Sequence, residues 1–279
     1  MSRRRGCRRH GPLVKSPTDT QNHWVTSDRE WPMKSDLRAL LTGVEGVLFD
    51  FDGPLCHLFA PKGAERVAEQ LHEFIGRERL PDVRPEKEHS PLDVLREAAR
   101  TWPDLADVAR LEGKLTSLEE ECAEDALMTP GADVLVEAIR SDGIPVAITT
   151  NNSEKAVRTC LDNSSLGPLF GTHVYGRRNM AEGHPLLLKP DPACIERAIG
   201  GLRLTRPERC LMIGDSPADV LAANSADVRF LGFENPHVED NQELRQVFPG
   251  TIVERLDEIR TAWLGGGRCR THSASGETR

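Results

Sequence analysis

Two acidic residues, Asp50 and Asp52, follow a short apolar run over residues 44–49 and precede a Gly53-Pro54 turn. An apolar run of this length bounded by turn residues is typical of a buried strand in a parallel sheet. In open α/β sheets, ligands bind beyond the carboxyl ends of the strands. Two carboxylates this close repel each other unless a metal ion or a lysine supplies positive charge. An isolated Asp-x-Asp is also typical of a solvated turn, so this pair alone does not indicate a site.

Three further polar groups stand where a predicted strand gives way to a loop or a helix. Thr150 and Asn151 follow an apolar strand and open a helix, where a hydroxyl, a carboxamide and free N–H groups can bind an anion. Lys189 lies in a proline-flanked loop and is the strongest candidate for a site cation. Asp215 ends another strand, and Asp219 follows one helical turn later, so both carboxylates can face one ion. Taken singly, these features are also typical of a helix cap, a solvated lysine and an acid at a helix N-terminus.

The elements that would position these residues follow from the hydrophobic pattern. From about residue 131 onward, helices alternate with apolar strands, which predicts an α/β fold with a parallel sheet and right-handed crossovers. Residues 59–130 show helical periodicity without a strand signal, which predicts an inserted all-helical subdomain. The predicted organisation is a disordered basic tail (1–36), an α/β core (37–58 and 131–264), the helical insertion (59–130) and a flexible tail (265–279).

This organisation brings all four polar groups to one edge of the predicted sheet. The two Asp pairs offer the oxygen ligands that a hard cation such as Mg²⁺ prefers. Lys189 and Thr150 suit the oxygens of a phosphate group. The sequence therefore predicts a site that combines a metal ion with a phosphate.

The composition is that of an ordinary soluble protein. Charged residues make up 29% of the 279 residues, and the net charge of −8 gives no case for nucleic-acid binding. The first 36 residues carry eight basic against four acidic side chains, which leaves −12 for the rest. Seven scattered cysteines without a Cys-x-x-Cys pair indicate reduced thiols, and no apolar run reaches the length of a membrane span. We therefore expect a cytoplasmic protein without nucleic-acid or membrane partners.

In order and spacing, the four motifs resemble those of the haloacid dehalogenase (HAD) superfamily. Motif I resembles Asp50-Phe51-Asp52-Gly53, motif II Thr150-Asn151, motif III Lys189-Pro190 and motif IV Gly214-Asp215-Ser216-Pro217-Ala218-Asp219. The helical insertion after motif I is similar to the C1 cap of phosphoglycolate-phosphatase-like members. The resemblance covers residues 44–235 and implies a Rossmann-like parallel-sheet core with a cap over the active site.

The resemblance also implies a phosphatase that acts on a small phosphate monoester. Asp50 corresponds to the nucleophile that forms an aspartyl-phosphate, and Asp52 corresponds to the general acid and base. Phosphate would be bound by Thr150, Asn151 and Lys189. The Mg²⁺ ion would be held by oxygen ligands of motifs I and IV: the Asp50 carboxylate, the backbone carbonyl of Asp52, the Asp215 carboxylate and, nearby, Asp219.

One position departs from the family pattern, because Pro54 stands where the family usually has Thr or Val. Proline lacks an N–H group and fixes φ at about −65°. We expect a stiffer turn around Asp52 with the chemistry intact, since that chemistry requires no hydroxyl at position 54.

Several other activities are compatible with parts of the pattern. A sugar phosphomutase would use the same core, and a catalytically silent HAD-like binding module would keep the same fold. A hydrolytic dehalogenase would leave Asp52 without a leaving alkoxide to protonate. A receiver domain lacks the helical insertion, and a nicotinamide-dependent enzyme is disfavoured because no Gly-x-Gly-x-x-Gly follows a strand.

Overall fold

The computed structural model describes residues 36–60, 62–85, 89–235 and 242–266. Residues 1–35 and 267–279 lie outside this range, so the predictions of two flexible tails fall almost wholly outside the described residues.

A six-stranded parallel sheet forms the centre of the fold. The described strands are β1 (Gly46–Phe49), β2 (Cys56–His57), β3 (Leu127–Met128), β4 (Val146–Ser153), β5 (Val174–Arg177), β6 (Cys210–Gly214), β7 (Arg229–Phe233) and β8 (Ile252–Val253). The sheet has the order β5-β4-β1-β6-β7-β8, and β2 pairs with β3 in a separate antiparallel ribbon. The predicted α/β architecture is confirmed.

Strand β1 lies between β4 and β6 and is parallel to both. Its side chains alternate between two apolar clusters, with Val47 and Phe49 on one face of the sheet and Leu48 on the other. Burial of both faces explains why the strand appears as an unbroken apolar run in the sequence.

Helices cover both faces of the sheet. The described helices are α1 (Leu37–Leu41), α2 (Ala64–Glu78), α3 (Pro91–Thr101), α4 (Leu105–Ala123), α5 (Ala132–Ser141), α6 (Glu154–Asp162), α7 (Gly167–Phe170), α8 (Ala193–Gly201), α9 (Pro217–Ser225), α10 (Gln242–Val247) and α11 (Leu256–Gly265). Helix α9 begins with a capping box, in which Ser216 accepts from the Asp219 N–H and the Asp219 side chain accepts from the Ser216 N–H. The Ser216-Pro217 pair is a typical helix start, and the structure agrees with that pattern.

Helices α2, α3 and α4 fall within the predicted insertion. They follow β2 and precede β3 in the chain, and they pack against one another. We call these three helices the cap. The Ser90-Pro91 pair is a typical helix start, and in the structure Ser90 caps α3 and Pro91 is its first residue. Helical spacing puts Leu105 on one stripe with Val108, Leu111 and Leu115, but Leu105 is the first residue of α4 and is 68% exposed, whereas the other three are buried. The ribbon of β2 and β3 was not predicted, and the domain boundaries at residues 59 and 130 stay a prediction.

Apolar packing joins the cap to the core. Leu95 and Leu115 of the cap belong to the same buried cluster as Phe49 of the sheet. The described cysteines, which are Cys56, Cys122, Cys160, Cys194 and Cys210, are free and buried, which agrees with the expected reduced thiols. Across the described ranges, every helix is too short or too polar to cross a membrane.

Candidate active site

The predicted residues meet at the carboxyl ends of three neighbouring strands. Asp50 follows β1 directly, Thr150 and Asn151 lie near the carboxyl end of β4, and Asp215 follows β6. Oxygen atoms of Asp50, Asp215 and Asp219 lie within 4.8 Å of one another. The strand pattern thus brings together residues that are far apart in the sequence.

Asp50 and Asp52 have different surroundings although only one residue separates them. Oδ1 of Asp50 accepts from the Phe51 N–H (2.7 Å) and lies 3.0 Å from Nζ of Lys189. Oδ1 of Asp52 accepts from the Leu58 N–H (3.0 Å), and Asp52 does not belong to the three-carboxylate cluster. The two carboxylates can therefore take different roles.

The environment raises the pKa of both carboxyl groups. Burial raises the pKa of Asp50 to about 7; the charge of Asp219 adds to this effect and Lys189 opposes it. Burial also raises the pKa of Asp52 to about 6. The hydrogen bond from the Leu58 N–H lowers this pKa, and the charge of Glu119 raises it further. A carboxyl group with a pKa near neutrality can both give and take a proton at physiological pH.

Gly53 is required by the close packing of the turn after Asp52. Its φ of +107° lies in a region that side chains rarely adopt, and an added Cβ would lie 2.1 Å from Oδ2 of Asp215 and 3.0 Å from Nδ2 of Asn235. Asn235 donates to the same Asp215 oxygen (2.9 Å). The turn of motif I therefore packs directly against a carboxylate of motif IV.

Lys189 is buried at the centre of the acidic cluster, with 2% of its surface exposed. Its Nζ donates to Oδ1 of Asp219 (2.5 Å) and to the carbonyl of Thr149 (3.0 Å), and also faces Asp50. Burial disfavours its charge, but Asp219 and Asp50 outweigh that effect and raise the pKa of Lys189. The lysine is therefore held as a cation, as the sequence predicts.

Asn151 holds the backbone of this lysine. Its Oδ1 accepts from the Lys189 N–H (2.7 Å), and its Nδ2 donates to the Lys189 carbonyl (3.3 Å). The sequence predicts Asn151 as a phosphate ligand, whereas in the structure its carboxamide contacts the lysine loop. The sequence signal for this pairing is absent, because the two residues are separated by 38 positions.

The hydroxyl of Thr150 also has protein partners. It donates to Oδ1 of Asn152 (2.9 Å) and accepts from the Asn152 N–H (3.1 Å). The N–H of Ser153 donates to Glu119 (3.0 Å), and the N–H of Ala156 donates to the Ser153 hydroxyl. The expectation of free N–H groups at this helix start is therefore wrong for these residues, because the strand continues to Ser153 and neighbouring side chains take up the donors.

The donor set of the acidic cluster fits a divalent cation. Burial and the charges of Asp50 and Asp219 raise the pKa of Asp215 well above its usual range, although the hydrogen bond from Asn235 lowers it. Asp219 already engages Lys189 through Oδ1 and the N–H and hydroxyl of Ser216 through Oδ2. Asp50 and Asp215 therefore offer the oxygens for a Mg²⁺ ion, whose charge would relieve their mutual repulsion.

The cap contributes polar residues to this site that the sequence reasoning missed. Arg96 of α3 donates through Nη2 to the carbonyl of Lys189 (3.0 Å) and through Nη1 to Asp93 (2.6 Å). Glu119 of α4 contacts the β4 end directly and pairs with Arg177. A charged residue on an amphipathic helix is usually solvated, so no sequence signal separates these side chains from surface charges.

Comparisons with known proteins agree with the fold and the motifs. The family profile of haloacid dehalogenase-like hydrolases matches residues 44–227. A phosphoglycolate phosphatase of Pectobacterium atrosepticum is 26% identical over 79% of this chain and 93% of its own length. A phosphoglycolate phosphatase of Pseudomonas putida is 31% identical over 67% of this chain and 68% of its own length.

Solved structures share the fold at low sequence identity. A predicted phosphatase from Clostridium acetobutylicum superposes with a TM-score of 0.60 and 18% identity over 80% of this chain and 99% of that one. A β-phosphoglucomutase from Clostridium difficile superposes with a TM-score of 0.58 and 15% identity over 80% of this chain and 98% of that one. The predicted resemblance is confirmed, and the chain belongs to the haloacid dehalogenase-like hydrolase family.

Proposed function

We propose that this protein is a Mg²⁺-dependent phosphatase that hydrolyses a small phosphate monoester through an aspartyl-phosphate on Asp50. The observation that carries the proposal is the buried Lys189 ammonium, held 3.0 Å from Asp50 and 2.5 Å from Asp219 within the three-carboxylate cluster. A cation fixed beside a nucleophilic carboxylate serves an anionic substrate, because it reduces the repulsion between carboxylate and phosphate.

In the first chemical step, Asp50 attacks phosphorus and the ester P–O bond breaks. The hydrogen bonds of Asp50 to described residues engage Oδ1, which leaves Oδ2 for the attack. The leaving alkoxide takes a proton from Asp52, whose pKa of about 6 keeps a protonated fraction near neutral pH. Splitting one displacement into two steps is the advantage of a covalent intermediate.

In the second step, a water molecule attacks the phosphorus of the aspartyl-phosphate. Asp52, now ionised, takes a proton from that water, and inorganic phosphate leaves with Asp50 restored. Lys189 neutralises charge on the phosphoryl oxygens in both steps, and the hydroxyl of Thr150 would bind the same group.

Asp50, Asp215 and the backbone carbonyl of Asp52 would hold the Mg²⁺ ion. Asp219 would support this site from outside, because its oxygens already bind Lys189 and Ser216. When bound, the ion supplies positive charge that stabilises the phosphoryl group during transfer.

A substrate with a second anionic group is favoured by the position of Arg96. This guanidinium lies at the boundary of cap and core, in contact with the carbonyl of the catalytic lysine, and its side chain is 36% exposed. A carboxylate on the leaving group could pair with it. The curated relatives are named phosphoglycolate phosphatases, and phosphoglycolate carries such a carboxylate.

The test is hydrolysis of p-nitrophenyl phosphate, phosphoglycolate and a hexose phosphate by the full-length chain, with and without EDTA. We expect phosphate release that requires Mg²⁺ and returns when Mg²⁺ is added back. Full activity in EDTA would contradict the metal site. Isomerisation of the hexose phosphate without phosphate release would identify a phosphomutase instead, and inactivity on all esters would favour a silent binding module.

A further inference from the structure

A buried ionic network joins the cap to the end of β4, where Thr150 lies. We propose that Glu119 of cap helix α4 is a positioning residue for phosphate, because it holds the 151–153 segment that fixes Thr150 and Lys189. This inference rests on the proposed function for its ligand, inorganic phosphate or a phosphate ester.

Glu119 contacts the segment at two points. Its Oε1 accepts from Nδ2 of Asn152 (3.3 Å), and its Oε2 accepts from the N–H of Ser153 (3.0 Å). Its side chain is fully buried, so water does not compete for these bonds. Glu119 comes from the cap and the segment from the core, so the contact spans the two parts of the molecule.

Asn152 transmits the orientation to Thr150. An ionised carboxylate only accepts hydrogen bonds, so Asn152 must turn its NH₂ group toward Glu119. Its Oδ1 then faces Thr150, whose hydroxyl donates to it at 2.9 Å, while the Asn152 N–H holds the same hydroxyl oxygen at 3.1 Å. The carboxylate of Glu119 therefore fixes the orientation of Asn152, and Asn152 holds the hydroxyl oxygen of Thr150 in place from two sides. A bound phosphate would take the Thr150 hydroxyl proton in place of Oδ1 of Asn152, while the Asn152 N–H keeps its bond to the hydroxyl oxygen.

Arg177 connects the same network to Lys189. Its Nη1 donates to the carbonyl of Asn151 (2.8 Å), and the Asn151 side chain binds both backbone polar groups of Lys189. Glu119 pairs with Arg177 through both carboxylate oxygens (3.1 and 2.6 Å). The two proposed phosphate ligands are thus held from one buried ion pair.

Every donor of Arg177 in the network is hydrogen-bonded, and its charged groups are buried at a desolvation cost. Both features distinguish it from apolar packing of the cap. All five N–H donors of Arg177 have partners, the remaining ones being Oε1 of Glu112 (2.9 Å) and the hydroxyl of Thr116 (3.2 Å). The side chains of Arg177, Glu112 and Glu119 are at most 1% exposed. Apolar residues would join α4 to the core without the desolvation of three charges, so we infer that this network serves geometry rather than stability.

The chain offers a matched control on the same helix. Glu120 also links the cap to the core, through an ion pair with Lys155 of α6 (2.7 Å), but Lys155 is 74% exposed and neither residue bonds to the 151–153 segment. Glu120→Gln therefore removes a cap–core ion pair without touching the contacts of Asn152.

The experiment is calorimetric titration of inorganic phosphate into the full-length protein with Mg²⁺, for the wild type, Glu119→Gln, Asn152→Ala and Glu120→Gln. Calorimetry separates the dissociation constant from the fraction of competent molecules, and partial loss of folded protein lowers that fraction without changing the dissociation constant. We expect Kd to rise about tenfold in Glu119→Gln and in Asn152→Ala, the size of one lost hydrogen bond to a charged group. Glu120→Gln should stay within about twofold of the wild type.

An unchanged Kd in folded Glu119→Gln would overturn the inference, as would an equal rise in Glu120→Gln. If Glu119→Gln does not fold, Asn152→Ala decides in the same way, because it removes the side-chain contacts of Asn152 but keeps the Arg177 pair. A wild type that binds phosphate but hydrolyses no ester would contradict the proposed function alone. A wild type that binds no phosphate would overturn both.

Discussion

The turn at Gly53 provides a sharp test of the site geometry, because one methyl group there would strike the proposed metal ligand. In Gly53→Ala the new Cβ would lie 2.1 Å from Oδ2 and 2.7 Å from Cγ of Asp215. The turn or the carboxylate must therefore move. Asn235, which would lie 3.0 Å from the new Cβ, must give way by a few tenths of an ångström.

The expected cost has two parts that a control can separate. A side chain at a φ of +107° costs about 1–2 kcal/mol in backbone strain, and overpacking of a buried site adds about 1–3 kcal/mol. Gly63 has a φ of +81° with no atom within 4 Å of its added Cβ, so Gly63→Ala carries the strain without the clash. The stability loss should therefore be about 2–5 kcal/mol in Gly53→Ala and about 1–2 kcal/mol in Gly63→Ala.

The assay is a Mg²⁺ titration of phosphatase activity and of the melting temperature for both variants. Displacement of Asp215 should raise the half-saturating Mg²⁺ concentration at least about tenfold in Gly53→Ala. Gly63→Ala should keep the wild-type value. If the two variants require the same Mg²⁺ concentration, the packing of motif I against Asp215 does not support a metal site.

Three further outcomes are expected. Asp52→Asn should lower kcat about 10²–10⁴-fold on an alkyl phosphate and less on p-nitrophenyl phosphate, whose leaving group needs little protonation; equal losses in steady-state assays would argue against proton donation. Arg96→Ala should raise the KM for phosphoglycolate about tenfold and leave the KM for p-nitrophenyl phosphate unchanged. The control Arg100→Ala, which loses only a surface pair with Glu97, should change neither KM value. An equal rise of KM for both substrates in Arg96→Ala would exclude carboxylate recognition. In EDTA, Asp50→Asn should stabilise the protein at about pH 8, because a folded-state pKa of about 7, raised from 3.8, penalises the ionised group above that pH. This penalty decreases as pH falls, because the folded carboxyl group then binds its proton. Urea unfolding should therefore show that the stability advantage of Asp50→Asn over the wild type falls by roughly 2–3 kcal/mol between pH 8 and pH 5. An advantage that does not depend on pH would contradict the raised pKa of Asp50.

The positions of the main site residues could be predicted from the sequence because each follows a strand with a strong apolar signal. Asp50 and Asp215 stand directly after such runs, and parallel strands bring their carboxyl ends to one edge. The capping box at Ser216 and Asp219 is likewise a local pattern. These features need only a few neighbouring residues to be recognised.

The polar contacts between distant segments could not be predicted in this way. Glu119 and Arg177 are 58 residues apart, and their pairing depends on how α4 docks on the end of β5. Asn151 resembles an anion ligand because it lies at a helix start. Its actual partner, the backbone of Lys189, leaves no signature in the sequence. Pairing of this kind is decided by tertiary packing, which propensity and periodicity do not contain.

Very short elements were missed for a different reason. Strands β2 and β3 have two residues each, which is below the length at which alternation can be recognised. They nevertheless bracket the cap, and the Gly53 N–H donates to the carbonyl of Cys56 in β2 (2.7 Å). The turn that carries Asp52 is therefore connected to the start of the cap. Pro54 is buried in this turn, and nothing in the structure indicates that it disturbs the site.

The most direct test of the proposed function is chemical trapping of the intermediate. The enzyme is mixed with substrate and Mg²⁺, quenched during turnover and reduced with borohydride, which converts an aspartyl-phosphate to homoserine. Peptide mass spectrometry should find homoserine at position 50, and neither the substrate-free enzyme nor Asp50→Asn should show it. Turnover without modification of Asp50, or homoserine at another aspartate, would contradict the assignment of Asp50 as the nucleophile.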